Sequence, residues 1–236
     1  MAILHRNRPR LLRVAAGVLL AALLGGASAG EAAETFVDAA LASVSGTIIA
    51  AGDVAIARAL SLFGARPSDA PIGKLDAERL VDGRLIEQEA VQLAIGGDPQ
   101  DAEDAWRTAA ERVGGMPALR AWMEHTHLDE AWVRKLVEAD LRWRRFIDLR
   151  FRAFVFVSEA EVTEALGPDV HAQQVREKTR DRLRAEATNR DVAEWMAEAR
   201  KRVAVRYADL GERGFPLPFP MPPQAGQAAE DPAPRP

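Results

Sequence analysis

The chain has no cysteine. Disulfides, thiolate catalysis and a lipid-modified amino-terminal cysteine are therefore all excluded. Aromatic residues are sparse, with one tyrosine and eight phenylalanines, yet there are five tryptophans. Gly-x-Ser-x-Gly occurs once, at Gly26 to Gly30, directly after an apolar run and not at a strand-to-helix turn, and no phosphate-cradling glycine loop or zinc-binding helix motif is present, so the usual sequence marks of a hydrolase, a nucleotide enzyme or a metalloprotease are missing. No period repeats along the chain. After the first residues, no apolar run approaches the ~20 residues needed to span a bilayer.

What is present begins with a basic head, Arg6, Arg8, Arg10 and Arg13, followed by an apolar stretch from Val14 to Leu24 and a small-x-small exit at Ala27-Ser28-Ala29. This order reads as a secretory signal peptide over residues 1–29, cleaved after Ala29, and predicts a periplasmic protein without stable membrane insertion. The leader takes four arginines and no acid from the 31 basic and 35 acidic residues, so the mature chain carries a net charge of about −8. An acidic balance of this size speaks against a nucleic-acid surface. Roughly 200 mature residues suffice for one sizeable core or two small domains.

The body reads as mainly α. "LASVSGTIIAAGD" predicts a hairpin about Ser45-Gly46, with Asp53 capping the helix that follows and Gly64 ending it. After a loop containing Pro67 and Pro71, Asp76 can cap a second helix in which Ile86, Ala90, Leu93 and Ala94 share a face. Asp98-Pro99 is a strong helix start, because the carboxylate accepts a free N–H and proline at the first position loses nothing. Asp129 caps a long helix whose apolar residues, from Val133 to Phe146 and Ile147, cover more than one stripe and predict contact from two sides. Ser158 and Glu161 form a capping box, with Val157 and Val162 as its hydrophobic staple. Gly167-Pro168 closes that helix, Asp169 caps a last long one, and "VAVRYA" reads as a final strand. The first and last parts of the mature chain are thus expected to build a small antiparallel β element. From Phe215 onward lie eight of the fourteen prolines, and residues 211–236 are predicted to be an extended, disordered tail.

Candidate chemistry is thin. His125 and His127 in "EHTHLDE" lie two apart and point to different faces at a helix turn, so solvated polar residues are preferred over a metal site. The arginines of "RWRRFIDLRFRAF" are read as stems lying over apolar neighbours with wet heads. Tryptophans on predicted helices are core by default. Trp122 with Met123, and Trp132 beyond the turn, are the preferred groove residues, since methionine and tryptophan adapt to varied apolar partners. Phe146 joins them as a candidate peptide contact. For "FPLPFPMPP" two readings stand: a solvated spacer, which is favoured, or a low-entropy ligand that folds back into the groove or docks another protein.

The order of these motifs resembles the SurA-type periplasmic chaperones. The likeness is carried by "LASVSGTIIAAGDV", "RLVDGRLIEQEAVQLAI", "LDEAWVRKLVEADLRWRRFI" followed by "VFVSEAEV", and "VREKTRDRLRAEATNRDVAEWMAEARKRVAVRYA", and covers most of 35–208. The resemblance implies a helical amino-terminal chaperone domain over residues 30–210, with 168–210 packing back on it. It also implies binding of unfolded or nascent envelope proteins, with no cofactor. The family places a parvulin-type prolyl isomerase domain between the "VSEAEV" helix and the closing helix. Here about ten residues fill an interval where a domain needs ~50, so the resemblance implies the chaperone module without the enzyme. A separate isomerase remains an open partner. The alternative is a non-catalytic assembly or scaffold subunit that binds one folded envelope partner.

Overall fold

The computed structural model describes residues 38–96, 98–167 and 172–225. The leader read over 1–29, the cap read at Asp169 and the last part of the tail lie outside them. The chain is mainly helical with one three-stranded antiparallel sheet, in the order β2-β1-β3. Strand β1 (Ala40–Val44) turns through Ser45 and Gly46, both at positive φ (49° and 84°), into β2 (Thr47–Ala50). Two left-handed residues match the twist of the flanking strands, which is why a Ser-Gly pair closes this hairpin.

Strand β2 runs without a loop into α1 (Ala51–Ala59). This corrects the reading of Asp53. The N-cap is Ala50, and Asp53, three positions on, accepts the Ala50 N–H at 2.9 Å. Asp76 repeats the pattern in α2 (Lys74–Gln92), accepting from Gly73 N–H at 2.9 Å. In both, a carboxylate inside the first turn reaches back over a residue that has no capping side chain. The other caps stand as read. Asp98 accepts from Gln100 N–H (2.9 Å) at the head of α3 (Pro99–Glu111), and Asp129 from Ala131 N–H (3.0 Å) at the head of α5 (Glu130–Arg150). At α6 (Glu159–Leu166), Ser158 N–H donates to Glu161 at 2.7 Å while Ser158 Oγ accepts from Glu161 N–H at 3.3 Å, and Val157 and Val162 are both buried.

Helix α4 (Met116–His125) follows the Gly114-Gly115 turn, and α7 (Gln173–Arg202) leads into β3 (Val205–Tyr207), which pairs with β1. The closing segment therefore returns to the first strand, β1. Its helix also lies on α2: Arg200 Nε donates to Asp82 at 2.9 Å, and Ile86 and Met196 line one shared cavity. Helix α5 is enclosed on two sides as its pattern predicts, and Phe146 is fully buried with Phe151 at 5.9 Å and Trp195 of α7 at 5.2 Å between ring centres.

Two buried charges shape the loops. Arg58 donates to the carbonyls of Ser68, Ala70 and Pro71 and pairs with Asp76 at 2.6 Å, fixing the proline loop against α1. Asp140 of α5 accepts Phe63 N–H at 2.6 Å and pairs with Arg144 at 2.7 Å. Phe63 sits at φ 52°, a left-handed conformation costly for an aromatic residue, so this bond holds a strained turn in place.

Candidate binding site

Strand β2 has β1 on one side and, among the described residues, no strand on the other. Ser43 and Ile48 are directly opposed next to the turn-closing Val44 and Thr47. In a two-residue hairpin that position is a non-hydrogen-bonded pair, so the N–H and C=O of Ile48 point to the free edge. The side chain of Ile48 is 61% exposed, whereas Ile49 faces the core.

Beside this edge is a cavity of about 320 Å³ between β2, α2 and α5, with Ile48, Leu80, Trp132, Leu136 and Ala139 among its lining. Asp53, Arg84, Glu87 and Lys135 supply its charge. Glu87 is buried and held by Arg84 and by Arg142 (2.8 Å), so it forms a neutralised part of the wall. Trp132 is half-buried and fixed by its indole N–H, which donates to Asp53 at 2.8 Å. Gly52 permits that pose: a Cβ there would lie 2.4 Å from the indole edge and 2.6 Å from Asp38. Asp38 accepts Gly52 N–H at 2.9 Å, and burial pushes its carboxyl up from the ordinary value, with the Gly52 bond opposing. The site is thus a fixed aromatic wall facing an unpaired strand edge, suited to an extended backbone with one apolar side chain turned inward. It assembles no nucleophile with a base, and among the described residues no three metal-ligating side chains converge.

The four expected contact residues do not form one groove. Trp132 lines the cavity, but Phe146 is core, closed off by Phe151 and Trp195. Trp122 and Met123 are buried at 6% and 5% exposure. Part of the cover of Trp122 is the Pro-rich segment itself. This corrects the expectation of a disordered tail for residues up to 225. Ile72 and Phe215 exchange both backbone bonds (2.6 and 2.9 Å), Phe219 packs edge-on against Trp122 at 5.7 Å, and the Trp122 indole N–H donates to the Pro220 carbonyl at 2.9 Å. Ala225 N–H then donates to the Arg112 carbonyl at 3.0 Å. The physical reason is that proline removes donors and stiffens the chain, so the apolar side chains between prolines dock with little entropy lost.

Ile48 and Phe219 were not singled out by sequence. The apolar–proline alternation was the available signal for Phe219, and an isoleucine after a Ser-Gly turn gives none for a free edge. The arginines of "RWRRF" are engaged within the chain: Arg142 with Glu87, Arg144 with Asp140 and Arg145 with Asp101. No protein-family model matches this chain, and a search of curated proteins finds no match.

Proposed function

We propose that this chain is a non-catalytic, chaperone-like protein of the periplasm that holds extended apolar or aromatic segments of unfolded envelope proteins. The observation that carries this reading is the meeting of an unpaired strand edge with an apolar cavity walled by Trp132. A segment laid along β2 would gain main-chain hydrogen bonds to Ile48, a mode that is indifferent to sequence. One large side chain would enter the cavity, gaining ~25 cal/mol per Å² of apolar surface removed from water. A cavity of this size is at the small end of ligand sites, which suits weak, reversible holding. The short connection is a second support: α6 ends at Leu166 and α7 begins at Gln173, so no isomerase domain of the SurA-type family stands between them.

The test is suppression of aggregation of several unrelated unfolded outer-membrane proteins, with Trp132→Ala as the control. The proposal requires protection by the wild type across clients and its loss in the variant. A second reading, an assembly subunit for one folded partner, is favoured by the exposed Phe154 and Phe156 (79% and 82%) between α5 and α6. It predicts protection of no unfolded client and a single stoichiometric partner.

A further inference from the structure

The seat under the Pro-rich segment is distinct from the Trp132 cavity, and its occupant displays its own chemistry. Phe219 and Pro222 face inward and are buried, Phe215, Leu217 and Met221 are half-buried, and Pro216, Pro220 and Pro223 face outward. The extended segment thus turns its apolar side chains and Pro222 to the body and the rings of Pro216, Pro220 and Pro223 to solvent. Recognition combines an aromatic contact from Trp122, an indole N–H aimed at a proline carbonyl, and one backbone bridge at Ile72. Aromatic surfaces with a directed donor are how preformed polyproline segments are bound, because proline carbonyls are strong acceptors on a backbone that has little freedom left to lose.

Three features make the occupant exchangeable rather than part of the framework. The fold closes upstream of it, at the pairing of β3 with β1, so the segment can leave without opening the sheet. Its prolines contribute no N–H, so residues 216–223 form no ladder with the body. At Gly214, φ is 69° and an added Cβ would lie 2.6 Å from the Ile72 carbonyl, so the chain enters the seat through a turn that glycine alone makes without strain. Glycine here gives a pivot between a seated and a released segment.

We infer that this seat, formed around Trp122 and Ile72, is a binding groove for extended segments in which aromatic or aliphatic residues alternate with proline. Residues 215–223 occupy it in cis, and a proline-flanked aromatic segment of a partner protein binds by displacing them. In the full chain the resident segment is at high effective concentration, so binding in trans is weak until it is released.

The probe is a fluorescein-labelled synthetic peptide of the sequence FPLPFPMPPQ, titrated into three proteins: the full chain, the chain ending at Arg213, and the full chain carrying Phe219→Ala. The shortened chain is expected to bind at least ten-fold more tightly than the full chain, and Phe219→Ala to fall between them. Equal affinity for full and shortened chains, or no saturable binding to a shortened chain that retains its helical spectrum and cooperative melt, overturns the inference. Should the shortened chain fail to fold, the Phe219→Ala chain decides: tighter binding than the wild type upholds the groove, and a lowered melting temperature with no gain in binding makes the segment purely structural. Client aggregation reports on the Trp132 cavity separately, so either proposal can fail alone.

Discussion

Asp140 shows how one side chain sets the shape of a wall. Its carboxylate satisfies the N–H of Phe63, whose left-handed backbone is otherwise unfavourable, and Phe63 in turn lines the cavity. Asp140→Ala leaves that buried N–H without a partner and should destabilise by about 1–3 kcal/mol, whereas Asp140→Asn keeps an acceptor and should cost less. Chemical denaturation of both variants checks the order. Burial raises the Asp140 carboxyl above its ordinary value, against the opposing Phe63 bond and Arg144. With a folded-state pKa above the unfolded one, the folded chain takes up the proton first on acidification. Wild-type stability should therefore gain on Asp140→Asn as pH falls through the raised value, and a difference that is flat or widens the other way would contradict the assignment. At Gly52 the prediction concerns the site itself. Gly52→Ala pushes Trp132 off its Asp53 bond and should cost about 1–3 kcal/mol with a shifted tryptophan emission.

At the scale of elements, local chemistry was legible where it is local. The Ser158–Glu161 box, the Asp98-Pro99 start and the Ser45-Gly46 turn are each decided within four residues, and all three stand where the sequence placed them. Ser158→Ala should cost α6 about 1 kcal/mol, read as a lowered melting temperature and earlier amide exchange in that helix. Asp53 and Asp76 both stand three positions past the caps, Ala50 and Gly73, because a carboxylate inside the first turn can serve a cap residue that has no capping side chain of its own. The Pro-rich segment was misread for a different reason: proline content excludes helix and central strand, but says nothing about whether an aromatic elsewhere will accept the chain. Its partner Trp122 is 93 positions before Phe215, and no local pattern reports that distance. Likewise the free edge of β2 depends on β3 choosing the other side of β1.

Among the described residues, the first and last strands meet and close the fold. Strand β3 pairs with β1, and Trp195 of α7 covers Phe146, so a chain ending at Gly167 would leave an open sheet edge and an uncovered aromatic core. Such a chain should lose cooperative unfolding, and retention of a sharp melt would show that the first half is an independent domain. The hairpin pattern at Ser45-Gly46 and the strand pattern of "VAVRYA" made the small antiparallel sheet predictable. What could not be read was which apolar residues stay uncovered: of the four expected contacts only Trp132 lines the open cavity, because Trp195 of α7 covers Phe146, the Pro-rich segment covers Trp122, and Met123 is buried in the core. The account also predicts no acceleration of prolyl isomerisation above the uncatalysed rate at high protein concentration. The most direct test places a photoreactive residue at position 48, on the outer edge of β2, in intact cells, and identifies what it captures. Many unfolded outer-membrane proteins, lost when Trp132→Ala is added, are the predicted result; capture of one folded partner, or of nothing while position 156 captures a protein, would contradict it.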